Sequence, residues 1–266
     1  MTLFLPSLLS AILYVIAGTV QAISLKAGKP NRRSLVMMLG SGAVVVHMLA
    51  VYLILHPGNG IQLGFFPVSS LIAWLVAALV LLSCLRKPLE SLLVGVFPIA
   101  AVSVLMAALL PETRLAQQYS GGEIAHILSS ILAYSILTIA ALQALVLARQ
   151  DYELKHHYLR GLVRALPPLQ LMEQLLFEMV WLGVLLLSLS LLSGLVFLDD
   201  IFAQHLVHKT VLSFIALGVY ATLLWGRYQL GWRGLTAIRW VLGGFIFLMM
   251  AYFGSKFALE LYLPAS

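Results

Sequence analysis

The sequence predicts an all-α protein: a polytopic membrane helix bundle with eight transmembrane helices, with the N-terminus and the C-terminus both outside. Apolar residues make up 62% and charged residues 10% of the chain, and the mean hydropathy is +1.02. Soluble proteins contain about 25% charged residues. The apolar residues fall into eight stretches, each near the ~20 residues that cross a bilayer as a helix. We therefore expect residues 1–266 to form a single integral membrane domain.

The eight helices are predicted to follow one another through short polar gaps, so that sequence neighbours lie antiparallel. The sixth is expected to begin before its apolar run, because Pro167 and Pro168 suit a first helical turn and no helix breaker follows them. It should be some thirty residues long. The approximate predicted ranges are 2–25, 34–56, 67–85, 89–110, 124–148, 167–198, 210–227 and 238–258.

The distribution of cations predicts the orientation. Thirteen of the sixteen Lys and Arg residues lie in alternate gaps, which the positive-inside rule assigns to the cytoplasm. An even number of spans then places both termini outside. The thirteen are Lys26, Lys29, Arg32, Arg33, Arg86, Lys87, Arg149, Lys155, Arg160, Arg164, Arg227, Arg233 and Arg239.

Topology reporters test this orientation directly. Fusions near residues 30, 87, 158 and 233 should report the cytoplasm, and fusions near 60, 117, 203 and the C-terminus should report the outside, because charged loops follow the cation bias. At each site, the activity of an alkaline phosphatase fusion is compared with the fluorescence of a green fluorescent protein fusion. A cytoplasmic signal at the C-terminus would contradict the eight-span topology.

Composition also argues against several functions. The net charge of +6 lies mostly in the predicted inner gaps, so it indicates topology and contact with anionic lipids, with no role in nucleic-acid binding. Cys84 is the only cysteine, so the chain has no CxxC redox pair and no CxxCH haem-attachment site. No nucleophile, base and orienting group form a recognisable set, and we expect the protein not to be an enzyme.

The histidines are the candidate site residues. Five of the seven fall in the predicted outer half or the outer loops, and a cluster of imidazoles on one side of a membrane suggests a metal or haem-iron site there. These five are His47, His56, His126, His205 and His208.

His47 lies about thirteen residues into the second predicted helix, or roughly 20 Å from its inner end. An ionisable residue at this depth is expected to face the bundle interior and to have a partner there. Helical periodicity places Gly40, Ala43, Val51 and Ile54 on the same side. Two interpretations stay open: His47 is an iron ligand, or it is a neutral imidazole hydrogen-bonded across two helices.

His126 begins the fifth predicted helix at the outer surface. The small residues below it in one stripe predict a packing face, so His126 should point toward the bundle and line an outer cavity shared with His47. The alternative is an interfacial histidine that only anchors the helix end. The stripe consists of Ser130, Ala133, Leu137, Ala140 and Ala144.

His205 and His208 are the weaker candidates. Their three-residue spacing places both on one face if the segment is helical, and Asp199 or Asp200 could then orient one imidazole. The alternative is a solvated loop.

Two inner segments carry a different chemistry. Glu173 and Glu178 are expected to be solvated or to face lipid headgroups. Residues 225–234 combine aromatics with Arg227 and Arg233, which is typical of an interfacial anchor; a role in holding anionic headgroups or propionates is the alternative.

Four blocks of this sequence resemble the cytochrome c assembly family of membrane haem-handling proteins, the CcsA, ResC and CcmC group, and in particular its short eight-helix branch of the YpjD and HemX type. The first two blocks are similar to the family's histidine-bearing helix with the loop after it, and to its His-then-Ala-Tyr helix. The others are similar to its long helix with a terminal Gly and to its last two helices. They are residues 60–70, 125–134, 167–194, and 220–234 with 251–255.

The resemblance implies a haem held between helices near the outer surface, with His47 and His126 at two haem-ligand positions. The tryptophan-rich outer loop of the family is not matched, because residues 198–209 contain no Trp. Trp225 and Glu260 stand about where larger members have further histidines. We therefore expect a haem-binding or haem-sensing accessory in cytochrome c or haem handling, without lyase activity of its own.

The implied location is the bacterial inner membrane, with haem, membrane lipids and another inner-membrane protein as the partners to expect, and no nucleic acid. Two alternatives stay open. One is a small-solute transporter or transporter accessory, although no helix appears broken at midplane, as transporter cores usually are. The other is a structural membrane partner that binds no ligand.

Overall fold

The structure is a computed structural model that describes residues 4–27, 32–58, 60–110, 117–156, 166–197 and 204–254. Within these ranges the chain is helical apart from turns and one isolated bridge between Ile61 and Gln117. In this described part of the chain, eight helices are long and apolar enough to cross a membrane, which confirms the predicted all-α membrane fold. Their bounds are α1 Phe4–Ala27, α2 Arg33–Leu55, α3 Phe65–Cys84, α4 Leu93–Leu109, α5 Gly121–Lys155, α6 Leu169–Phe197, α7 Gln204–Gln229 and α8 Gly234–Met249. A 3-10 turn, Glu90–Leu92, precedes α4, and a π-helical turn, Met250–Gly254, extends α8.

Two helices extend beyond their predicted ranges by six or more residues at one end. α5 continues to Lys155 and has 35 residues, about 52 Å of helix, which exceeds the ~30 Å hydrocarbon core. Its last turns contain polar residues that are good helix formers. α7 begins at Gln204, so the backbone of His205 and His208 is helical, and the expectation of a loop at these two residues is wrong. α6 has 29 residues, which confirms the expected length.

The chain forms two compact units, and each is described by itself. Unit 1 comprises Met1–Gln118 with Tyr152–Pro167, and unit 2 comprises Tyr119–Asp151 with Pro168–Ser266. His47 lies in unit 1 and His126 in unit 2.

In unit 1, α1 packs against α2 and α4, and α3 packs against α4 and α2. A glycine permits the closest approach: a Cβ at Gly40 would lie 2.7 Å from Cζ of Phe97. At one end of the unit, the Arg33 side chain forms an ion pair with Glu90 (Nε to Oε1, 3.0 Å) and donates a hydrogen bond to the carbonyl oxygen of Cys84 (2.6 Å). At the other end, Ile61 and Gln117 exchange two backbone hydrogen bonds. Polar contacts therefore stabilise the chain at both ends of the unit.

In unit 2, α7 packs against α6 and α8, and side chains of α5 contact α6 and α8. In this unit, too, glycines leave room for large side chains of a neighbouring helix. A Cβ at Gly183 of α6 would lie 2.4 Å from Leu137 of α5, and a Cβ at Gly244 of α8 would lie 2.9 Å from the Tyr220 ring of α7. Membrane helices associate largely through close packing at small residues. Lipid tails are as apolar as the side chains, so no hydrophobic driving force brings the helices together.

Candidate functional site

His47 lies at the centre of a polar contact among three helices of unit 1. The hydroxyl of Tyr14 on α1 lies 3.2 Å from its Nδ1, and the hydroxyl of Ser70 on α3 lies 2.9 Å from its Nε2. The side chains of all three residues are fully buried. The Tyr14 ring also meets the imidazole edge to face at a centroid distance of 5.6 Å. Residues predicted to share the His47 side of α2 are buried as expected: Gly40, Ala43, Val51 and Ile54.

Both ring nitrogens of His47 are therefore engaged by protein groups. A neutral imidazole has one donor and one acceptor nitrogen, and the two hydroxyls can satisfy both, since each hydroxyl can donate or accept. This geometry favours the interpretation of His47 as an interhelical hydrogen-bonding residue. A ligand role for His47 would require Ser70 or Tyr14 to release one ring nitrogen.

His126 has a different hydrogen-bond arrangement. Its Nδ1 lies 2.9 Å from the backbone carbonyl oxygen of Ser190 and 3.2 Å from the Ser193 hydroxyl, both on α6. Because a carbonyl oxygen only accepts, Nδ1 carries the proton, and the neutral ring then holds a lone pair on Nε2. Within the described part of the chain, Nε2 has no hydrogen-bond partner. A histidine that donates from one nitrogen to a backbone carbonyl and offers the other is the usual arrangement of a metal ligand.

The surroundings of His126 hold the ring in place. The Ser130 hydroxyl donates to the backbone carbonyl of His126 (2.8 Å) and lies 2.6 Å from the Ser190 hydroxyl. On α6, Gly194 provides the space for the imidazole, since a Cβ there would lie 2.9 Å from its Cε1. The stripe below His126 is a packing face as predicted, with Ala133, Leu137, Ala140 and Ala144 all buried.

An aromatic cluster with a lysine lies on the same unit. The Tyr134 hydroxyl of α5 contacts the sulfur of Met249 (2.7 Å), and its ring contacts those of Phe245, Tyr252 and Phe253. The Lys209 ammonium lies over the Tyr252 ring, 5.0 Å from its centroid. Tyr252 and Phe253 belong to the π-helical turn, a type of turn that is frequent at functional sites.

Of the two weaker candidates, only the His208 side chain lies among the described residues. His208 is exposed on α7, and among the described residues it forms no hydrogen bond or ion pair. The His205 side chain, and Asp199 and Asp200 as its possible orienting groups, lie outside the described residues. No group of three or more His, Cys, Asp or Glu side chains in the described ranges could hold a metal ion; axial ligation of haem requires only one or two. The outer cavity predicted between the helices of His47 and His126 stays a prediction.

Sequence reasoning missed the partners of both histidines. Tyr14 and Ser70 are single polar residues within apolar helices, and the sequence gives no sign of which neighbour they face. For His126, one sequence pattern could have predicted the partners. Ser190 and Ser193 are three residues apart and share a helix face with the terminal Gly194. Glu173 was expected to be solvated, which is wrong: it is buried and ion-paired with Arg227.

Comparison with known proteins agrees with this architecture. The family model described as cytochrome c assembly protein matches residues 34–263. The inner membrane protein YpjD of Escherichia coli (strain K12) is 33% identical over 82% of this chain and 84% of its own length. Protein HemX of Brevibacillus brevis is 26% identical over 84% of this chain and 86% of its own. No solved structure is significantly similar to the chain.

These matches and the eight apolar helices identify a multi-pass protein of the bacterial inner membrane. The resemblance seen in the sequence is confirmed for both the family and the branch. The described helices α2 to α8 all lie within or overlap the matched region. This chain belongs to the cytochrome c assembly protein family.

Proposed function

We propose that the protein binds haem through Nε2 of His126 and serves as an accessory in haem or cytochrome c handling, binding or sensing haem without lyase activity of its own. The observation that supports this most directly is the hydrogen bond from His126 Nδ1 to the Ser190 carbonyl. It orients the ring and leaves Nε2 with its lone pair. Membership of the cytochrome c assembly family makes haem the metal group to consider.

The residues around His126 fit such a ligand. When bound, haem supplies an iron that accepts an imidazole nitrogen as axial ligand. Donation from Nδ1–H to a backbone carbonyl raises the basicity of the ligating nitrogen and fixes its tautomer. Lys209 would offer a cation for a propionate.

His47 takes a secondary place in this proposal. Both of its nitrogens are hydrogen-bonded within unit 1, so it lacks the free lone pair that His126 has. Its role as a second ligand, which the family resemblance implies, stays a prediction.

Haemin titration of the purified protein in mild detergent tests the proposal. We expect a Soret shift for the wild type, and at least a ~10-fold weaker affinity for His126→Ala, because ~1.4 kcal/mol of lost ligation corresponds to a factor of 10. His56→Ala is the matched control, since His56 is an exposed outer histidine that hydrogen-bonds to its own helix. Added imidazole should restore the spectrum of a His126→Gly variant.

The variant lacking both His47 and His126 defines the background from haem dissolved in detergent. Wild-type binding no greater than this background would contradict the haem proposal, and the alternatives of a transporter accessory or a structural membrane partner would take its place. Equal binding by wild type and His126→Ala would contradict the assignment of the ligand.

A further inference from the structure

A cleft of about 830 Å³ lies at the end of unit 2 where α6 begins. One wall is a single stripe of α6 that runs from Gln170 to Leu185, and the other wall contains Arg227, Tyr228 and Arg233. Fifteen residues of helix separate the two ends of the stripe, which makes the cleft about 22 Å long. The predicted topology assigns this end to the cytoplasmic leaflet. None of the histidines discussed above lines the cleft.

The polar end of the cleft is built around Arg227. Its Nη1 lies 2.6 Å from Oε1 of Glu173 and 3.1 Å from the carbonyl oxygen of Trp232. The guanidinium also lies over the Phe177 ring, 4.4 Å from its centroid. Arg227 and Glu173 therefore neutralise each other. The cleft also contains the exposed carboxylate of Glu178, which accepts a hydrogen bond from the Gln174 amide (3.0 Å).

A glycine-rich turn places the second arginine at the cleft. Gly231 and Gly234 have positive φ values of 68° and 55°, which residues with a side chain rarely adopt. Gly226 makes room for the Trp232 ring, since a Cβ there would lie 2.4 Å from it. The turn ends at Arg233, which is exposed and, in the described ranges, forms no hydrogen bond or ion pair. Arg233 is thus a cation of the cleft that the described protein groups do not neutralise.

The other end of the cleft is apolar. Trp181, Leu182 and Leu185 line it and are about half exposed, at 48%, 47% and 55%. The indole nitrogen of Trp181 donates to the Tyr228 hydroxyl at 3.2 Å, so the polar atom of the indole is satisfied and its ring serves as an apolar wall. The cleft therefore changes from polar to apolar along the direction in which α6 enters the membrane.

We infer that this cleft binds one phospholipid molecule, with its phosphate at Arg233 and an acyl chain along Trp181, Leu182 and Leu185. An arginine without an ion-pair partner recognises a phosphate, and the apolar end of the cleft offers a surface for an acyl chain of the same lipid. A free phosphate would leave the apolar wall without a ligand. The inference concerns a surface apart from His126 and is independent of the haem proposal.

Native mass spectrometry of the delipidated full-length protein tests this inference. We expect 1-palmitoyl-2-oleoyl-phosphatidylglycerol to bind as a single molecule, and 1-palmitoyl-2-oleoyl-glycerol, which has the same chains without phosphate, to bind at least ~5-fold more weakly, since one cation near a headgroup contributes ~1 kcal/mol. Arg233→Gln should lose the preference for phosphatidylglycerol. Arg239→Gln is the matched control, because Arg239 is exposed on the next helix and does not line the cleft.

A second pair of variants tests the acyl-chain part. Leu185→Trp should fill the apolar end and reduce retention at least ~5-fold, whereas Leu189→Trp, a comparably exposed position one turn away and outside the lining, should not. Equal losses in Arg233→Gln and Arg239→Gln would overturn the inference. So would full competition by inorganic phosphate, which would assign a phosphate-only site, or a dimer peak that disappears with Leu185→Trp, which would assign the face to a second copy of the chain.

Discussion

Replacing Arg227 with leucine is expected to lower the free energy of unfolding by about 3 kcal/mol, the lower end of the range for removing one partner of a buried ion pair. Arg227 and Glu173 retain only 24% and 11% side-chain exposure, so the carboxylate left behind would be largely buried without its cation. The variant also loses the cation–π contact with Phe177 and the hydrogen bond to the Trp232 carbonyl. The measurement is the thermal unfolding midpoint in mild detergent, followed by circular dichroism.

The double variant Arg227→Leu with Glu173→Leu is the informative comparison. Because replacing both members of a buried pair by apolar groups is often neutral, we expect it to recover most of the stability that the single variant loses. Arg239→Leu, at an exposed position, should change the midpoint little. Additive losses in the double variant would show that the pair is not energetically coupled.

His47→Ala is expected to destabilise unit 1 by about 3 kcal/mol, whether or not haem is present. Interhelical hydrogen bonds in membrane proteins contribute ~0.6 to ~2 kcal/mol each, and His47→Ala removes two of them. The fully buried site adds a cavity term, which for large-to-small substitutions in packed interiors brings the total to ~2–5 kcal/mol. Thermal unfolding of the purified variant, with and without haemin, measures the effect.

Two conservative variants separate the hydrogen-bonding role from ligation. Tyr14→Phe removes one hydroxyl and keeps the ring, so it should cost about 1 kcal/mol, and His47→Gln should retain part of the lost stability because an amide can also donate and accept. If instead His47→Ala is as stable as the wild type and changes only the Soret band, His47 is a ligand and the structural role is wrong.

Part of the candidate site could be predicted from the sequence. The faces of α2 and α5 that carry His47 and His126 were predicted correctly from helical periodicity, and the residues that share them are buried. Helical periodicity could not predict which of the two histidines is better placed to bind iron. The predicted depth in the membrane favoured His47 as a ligand. Such a depth only requires that a polar side chain have a partner, and it does not say whether that partner is a metal or the hydroxyls of Tyr14 and Ser70.

The charged residues of α6 show the same limit. Glu173 lies in a segment with Gln170, Gln174 and Glu178, which sequence alone assigns to a solvated surface. In the structure it is buried, and its charge is paired with Arg227, 54 positions later, at 2.6 Å. The backbone of His205 and His208 was also uncertain in sequence, since a short polar segment can be either a loop or the first turn of the next helix.

The sequence by itself determined that the described residues form eight helices long and apolar enough to cross a membrane, and that the protein belongs to the cytochrome c assembly family. Hydropathy and length suffice for the helices, because the bilayer requires every backbone polar group to be satisfied within its own segment. Only the tertiary structure decided which polar side chains meet. The Ser190 carbonyl at His126, the hydroxyls at His47 and Glu173 at Arg227 each depend on the rotation and depth of one helix against another, and those are set by the packing of small and large residues over many positions at once.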